Sequence, residues 1–138
     1  LGLDILYRKS FYESLLNDYF DSERTIIITT HQVEEIEHIL SDLVFIQDGE
    51  IVLDDSMEEV GQSYFEVMVE KEFEEAAMAL NPMNVREVFG QKVCLFNGVE
   101  RSQVEAFGKV RKPSVADLFV AKMRGQSKAE GQAKGEVA

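Results

Sequence analysis

The residues best suited to chemistry lie at the end of a β-branched run, Thr25-Ile26-Ile27-Ile28-Thr29-Thr30, which delivers His31 just before a stretch of helical periodicity. A strand that presents a polar side chain at its carboxyl end places it where open α/β sheets bind ligands. The first N–H groups of a following helix favour anions. An imidazole N–H at that rim suits a hydrogen bond to a phosphate oxygen and stabilisation of charge developing on it. The same histidine could equally serve a structural role at a strand end, and the local pattern leaves both readings open. Metal binding is the competing chemistry, because His31, Glu34, Glu35 and His38 are close in sequence. On a helix with Ile36 facing inward, His38 lies about 200° away and faces solvent, and the His-Glu-x-x-His spacing is absent. Asp4, after Leu1-Gly2-Leu3, is placed either to cap a first helix or to form part of an interface loop. Cys94 alternates along an expected strand and reads as a packed thiol. The five methionines are scattered and form no face.

The elements that must position these groups follow from periodicity. Phe11, Leu15, Leu16, Tyr19 and Phe20 share one stripe of an expected helix over 8–20. The run 25–30 suits a strand buried on both faces of a parallel sheet. Val33, Ile36, Ile39 and Leu40 predict a second helix over 32–41. Two short strands, 43–47 and 50–53, flank Asp48-Gly49, a strong two-residue hairpin signal. Ser56 and Glu59 have capping-box spacing for a short helix that Gly61 would end.

Beyond residue 63, Phe65, Val67 and Val69 alternate with Glu66 and Met68, predicting a half-buried strand. Phe73, Ala76, Ala77 and Leu80 predict a helix stopped near Asn81-Pro82. Residues 85–89 and 92–96 predict a hairpin around Gly90-Gln91. A helix over 101–107, a strand over 109–111 and a final helix opened by Pro113-Ser114 complete the series. The order β-α-β-β-α-β is the ferredoxin-like pattern. Residues 126–138, rich in Gly, Ala, Gln, Lys and Glu, predict a disordered tail.

Charge and composition narrow the function classes. The 138 residues carry 14 basic and 26 acidic side chains, a net charge of −12. The imbalance sits wholly in residues 1–62, with 15 acids and three bases, Arg8, Lys9 and Arg24. This argues against nucleic acid as partner, since phosphate affinity comes from Lys and Arg, and against a basic lipid-binding patch. One cysteine excludes a disulfide framework and a four-thiolate zinc site. The longest apolar run is far below the ~20 residues of a membrane helix, so direct membrane insertion is not expected and the composition reads as cytoplasmic. The concentration of acid also fits a segment whose larger unit carries compensating bases. A two-faced apolar strand without its flanking strands is expected to self-associate or swap between chains.

The first 60 residues resemble the C-terminal part of an ABC transporter ATP-binding subunit. Leu1-Gly2-Leu3-Asp4 resembles the D-loop, Ile28-Thr29-Thr30-His31 with Val33-Glu34-Glu35 the switch-histidine segment, and Val44-Phe45-Ile46-Gln47-Asp48-Gly49-Glu50-Ile51 the following hairpin. Pro113-Ser114-Val115-Ala116-Asp117-Leu118-Phe119 is similar to the segment that closes the accessory domain of exporter-type subunits. Ile5 departs from a common proline, and Asp54-Asp55 from a pair ending in glycine. The resemblance implies an α/β fold: 1–62 as the end of a P-loop NTPase core, 63–125 as a ferredoxin-like accessory domain, and 126–138 as a tail. It implies that His31 contacts the γ-phosphate of ATP and that Asp4 meets the opposite subunit's phosphate site. It further implies ATP and Mg²⁺ as cofactors of the intact subunit, with a second ATP-binding subunit and a transmembrane permease as partners. The location it implies is the inner face of the membrane. The chain carries no Gly-x-x-x-x-Gly-Lys-Ser/Thr loop, Leu-Ser-Gly-Gly signature or Asp-Glu strand ending, so by itself it is expected neither to bind nor to hydrolyse ATP. The alternative reading is a regulatory or dimerisation module without catalysis.

Overall fold

The computed structural model describes residues 5–19 and 23–135, and the chain divides into two units, Leu1–Ile39 and Leu40–Ala138. It is a mixed α/β protein with two antiparallel sheets.

In the first unit, helix α1 spans Ile5–Tyr19, starting three residues before the expected position. Its apolar stripe is largely open, with Phe11 and Leu16 exposed, while Asp4 and Phe20 lie outside the described residues. Two expectations fail here. Residues 24–30 form no strand and, apart from a half-buried Ile28, are exposed. A strand needs neighbours to satisfy its backbone, and no described strand pairs with this run. The helix expected over 32–41 is two 3-10 turns, Val33–Glu35 and Glu37–Ile39. Val33, Ile36 and Ile39 are β-branched, which weakens helix propagation. Ile36 is nonetheless buried.

The second unit opens with a hairpin of β1 (Asp42–Gln47) and β2 (Glu50–Ser56). Its turn has positive φ at both Asp48 (51°) and Gly49 (79°), the left-handed pair that matches strand twist and that Asp-Gly adopts readily. Leu43, Phe45 and Leu53 are buried on one face. Helix α2 (Met57–Ser63) follows with the capping box in place: the Ser56 hydroxyl accepts from the Glu59 N–H at 3.1 Å, and the Glu59 carboxylate accepts from the Ser56 N–H at 2.8 Å. Gly61 does not end it. The helix continues until β3 begins at Tyr64.

Four strands form the larger sheet: β3 (Tyr64–Val69), β4 (Asn84–Val88), β5 (Gln91–Asn97) and β6 (Gly108–Arg111). Their spatial order is β4-β5-β3-β6 with every neighbour antiparallel. Helix α3 (Glu74–Ala79) links β3 to β4, and α4 (Arg101–Val104) with a 3-10 turn links β5 to β6. The expected β-α-β-β-α-β order is therefore present. Asn81 at φ 52° stops the first crossover, and Phe89-Gly90, one residue earlier than expected, makes the hairpin turn. One sheet face carries the core of Phe65, Val67, Val69, Cys94 and Phe96, sealed by Ala77 of α3 and Val104 of α4.

Helix α5 (Val115–Gly135) sets Val115, Leu118 and Ala121 inward, all at most 1% exposed. It continues to Gly135, which corrects the expectation of a disordered tail from 126. Ala, Lys, Glu and Gln propagate a helix readily once a packed first turn nucleates it. The hairpin and α2 group with the four-stranded sheet in the second unit, Leu40–Ala138. Within that unit α2 abuts β3 without a linker, and Phe45 of β1 packs edge-on against Phe119 of α5, ring centroids 5.1 Å apart.

Candidate functional site

His31 stands where the extended run turns into the first 3-10 helix. Thr30 shapes that reversal: its Oγ1 accepts a hydrogen bond from the Gln32 N–H at 2.9 Å, the local bond by which a hydroxyl favours a turn over a strand ladder. Arg8 of α1 ties the same corner down. Its guanidinium donates to Gln32 Oε1 at 3.2 Å and pairs with the half-buried carboxylate of Glu35. The His31 ring is exposed and makes no hydrogen bond or ion pair among the described residues.

This geometry leaves the imidazole open to a ligand from solvent. Among the described residues it does not assemble an anion cradle around the ring. A three-residue 3-10 turn carries almost none of the aligned dipole that makes a helix N-terminus attractive to phosphate, and Glu34 and Glu35 place negative charge in it. Asp4 lies outside the described residues. His38 is exposed, within the second 3-10 turn. Among the described residues no three His, Cys, Asp or Glu side chains gather to hold a metal ion.

A second polar cluster lies on the four-stranded sheet, and the sequence pattern conceals it. Alternation assigns Glu66 to a solvated face, yet it is 3% exposed. Its Oε1 accepts from Arg111 Nε at 2.6 Å and from Arg86 at 3.2 Å. Arg86 also reaches Asp117 of α5 at 3.7 Å, while the Asp117 N–H is capped by Ser114 Oγ at 3.1 Å. Lys122 of α5 sits over the Tyr64 ring, 5.3 Å from its centroid. These contacts lay α5 across the face of β3 that periodicity leaves to water. A buried carboxylate held by two guanidinium groups is satisfied, and this cluster is a structural network. The only hint in the sequence is the pairing of one strand acid with two arginines on neighbouring strands.

Cys94 is buried, as expected. Burial pushes its thiol up from the ordinary value; Lys92 pulls the other way and Glu74 adds to the rise. A thiol held protonated in apolar surroundings is a poor nucleophile. Among the described residues no helix is long and apolar enough to cross a membrane. No family model matches the chain.

Proposed function

We infer that this chain is the C-terminal part of an ABC-type ATP-binding subunit, with residues 1–62 from the nucleotide-hydrolysing core and a ferredoxin-like accessory domain after it. The observation that carries the reading is the ordered series Leu-Asp, Thr-Thr-His, Asp-Gly hairpin and Pro-Ser-x-x-Asp-Leu-Phe in one chain. Two structural facts support it. The Asp48-Gly49 hairpin forms where the series requires one, and the β4-β5-β3-β6 sheet has the split topology of a ferredoxin-like domain.

On this reading the intact subunit couples ATP hydrolysis to transport, with export favoured by the Pro113–Phe119 segment. It works as a dimer against a permease at the inner face of the membrane. His31 contacts the γ-phosphate, and Asp4 meets the opposite subunit. The residues present do not fit a triphosphate by themselves: the Gly-rich loop with its lysine is absent and the corner at His31 holds no phosphate cradle. ATP and Mg²⁺ would be held by motifs this chain does not carry, and they supply the phosphoryl chemistry.

In the intact subunit, His31→Ala is expected to lower ATP turnover by about tenfold or more with a smaller change in nucleotide affinity, read from steady-state kinetics beside equilibrium binding. Unchanged turnover would remove His31 from the mechanism. The 138-residue chain alone is expected to show no Mg²⁺-dependent ATP hydrolysis. A second reading, a regulatory or dimerisation module formed by residues 63–125, rests on the core around Phe65, Val67 and Phe96; it predicts that this segment forms a dimer or responds to a ligand.

A further inference from the structure

Among the described residues one apolar segment joins no sheet and one apolar hairpin has no third strand. Thr25–Thr30 is built of Ile and Thr, types that favour pleated backbone, yet it joins no sheet and Ile27 is 84% exposed. The β1–β2 hairpin has the complementary deficit. It is a two-stranded sheet, a size that is marginal alone, and its outer face leaves Val44, Ile46 and Ile51 exposed. Register sets Ile46 opposite Ile51, so the three make one patch. An open apolar edge is a template for another strand.

Charge selects the edge and the strand. Glu50, Asp54 and Asp55 blunt β2, whereas β1 is uncharged from Leu43 to Gln47 between Asp42 and Asp48. Residues 24–33 form the longest acid-free stretch within the first 62, with Arg24 and His31 flanking Thr25–Thr30. Laid along β1 in either direction, that segment sets neutral positions against neutral positions and brings Arg24 toward one of the flanking aspartates. Elsewhere within residues 1–62, where 15 acids stand against three bases, contacts between copies set acid against acid.

We propose that the partner of the β1 edge is a second copy of this chain, with Thr25–Thr30 of each copy adding as a strand to β1 of the other in a closed two-fold exchange. Nothing in this exchange depends on His31 or on nucleotide. The experiment is sedimentation velocity of the 138-residue chain over a concentration series, with hydrogen exchange measured across the same range. A reversible dimer is expected, with exchange slowing at the amides of 26–30 and of β1 as it forms. Ile27→Lys, at an exposed site that leaves the circular dichroism unchanged, is expected to raise the dissociation constant by about tenfold or more. Successive N–H groups of a strand point to opposite edges, so either Ile28→Pro or Thr29→Pro removes a ladder donor whichever edge the segment presents. At least one of the two is expected to weaken the dimer as much as Ile27→Lys does. A monomer throughout, an open-ended polymer, or a dimer indifferent to all three substitutions would overturn the proposal.

Discussion

Gly108 sets how closely the last strand approaches β3. Its φ is 156°, and a Cβ built there would stand 2.0 Å from the Met68 carbonyl oxygen, a backbone atom that has no room to yield. Gly108→Ala is expected to cost about 3 kcal/mol or more, read as a lower urea midpoint. Cys94 gives the pH counterpart. Its folded thiol is pushed up by burial, so the unfolded thiol ionises first. The stabilisation it contributes is complete below the unfolded value of roughly 8.5 and falls as pH rises through and above it. Urea midpoints of wild type and Cys94→Ala, compared from about pH 7 to 10, are expected to show the wild type losing stability more steeply. At this scale legibility depends on how local the cause is. Ser56 and Glu59 can be read because both partners lie within one turn. Glu66 cannot, because the helix that buries it begins some fifty residues later.

Helix and turn signals with short-range physics survive into the structure. The Asp48-Gly49 turn and the α2 capping box are satisfied within a few residues. Ser56→Ala removes one half of that box and is expected to cost about 1 kcal/mol, measurable as a lower thermal midpoint and as faster amide exchange confined to the first turn of α2. Thr25–Thr30 shows the opposite case. Its composition states a preference for strand, but strand formation belongs to the pair and not to the segment. The stretch 32–41 fails for a related reason: its apolar spacing is helical, while its β-branched residues propagate helix poorly and the chain takes two 3-10 turns. The backbone around His31 was therefore not legible from residue types alone.

Across the whole molecule, α5 decides which surfaces are inside. It turns the outer face of a four-stranded sheet into a second interior, with Glu66 as its polar centre and Val115, Leu118 and Ala121 as its apolar contribution. Glu66→Ala is expected to destabilise the second unit by about 2–3 kcal/mol. That is below the ~3–5 kcal/mol typical of fully buried pairs, because Arg86 and Arg111 both reach solvent. Calorimetry should show the loss as a lower midpoint of a single transition, with Glu66→Gln intermediate. The contact of the hairpin with α5 was not legible either, since it brings Phe45 to Phe119 across more than seventy residues.

The pairing of β3 with β6 sets Glu66 opposite Arg111, so the first and last strands of the four-stranded sheet are neighbours and run in opposite directions. A module whose entrance and exit stand side by side can be spliced into a host chain, or removed from it, without displacing the host's own ends. For residues 64–111 that freedom has one condition: the outer face of the sheet must keep the cover that α5 gives it here.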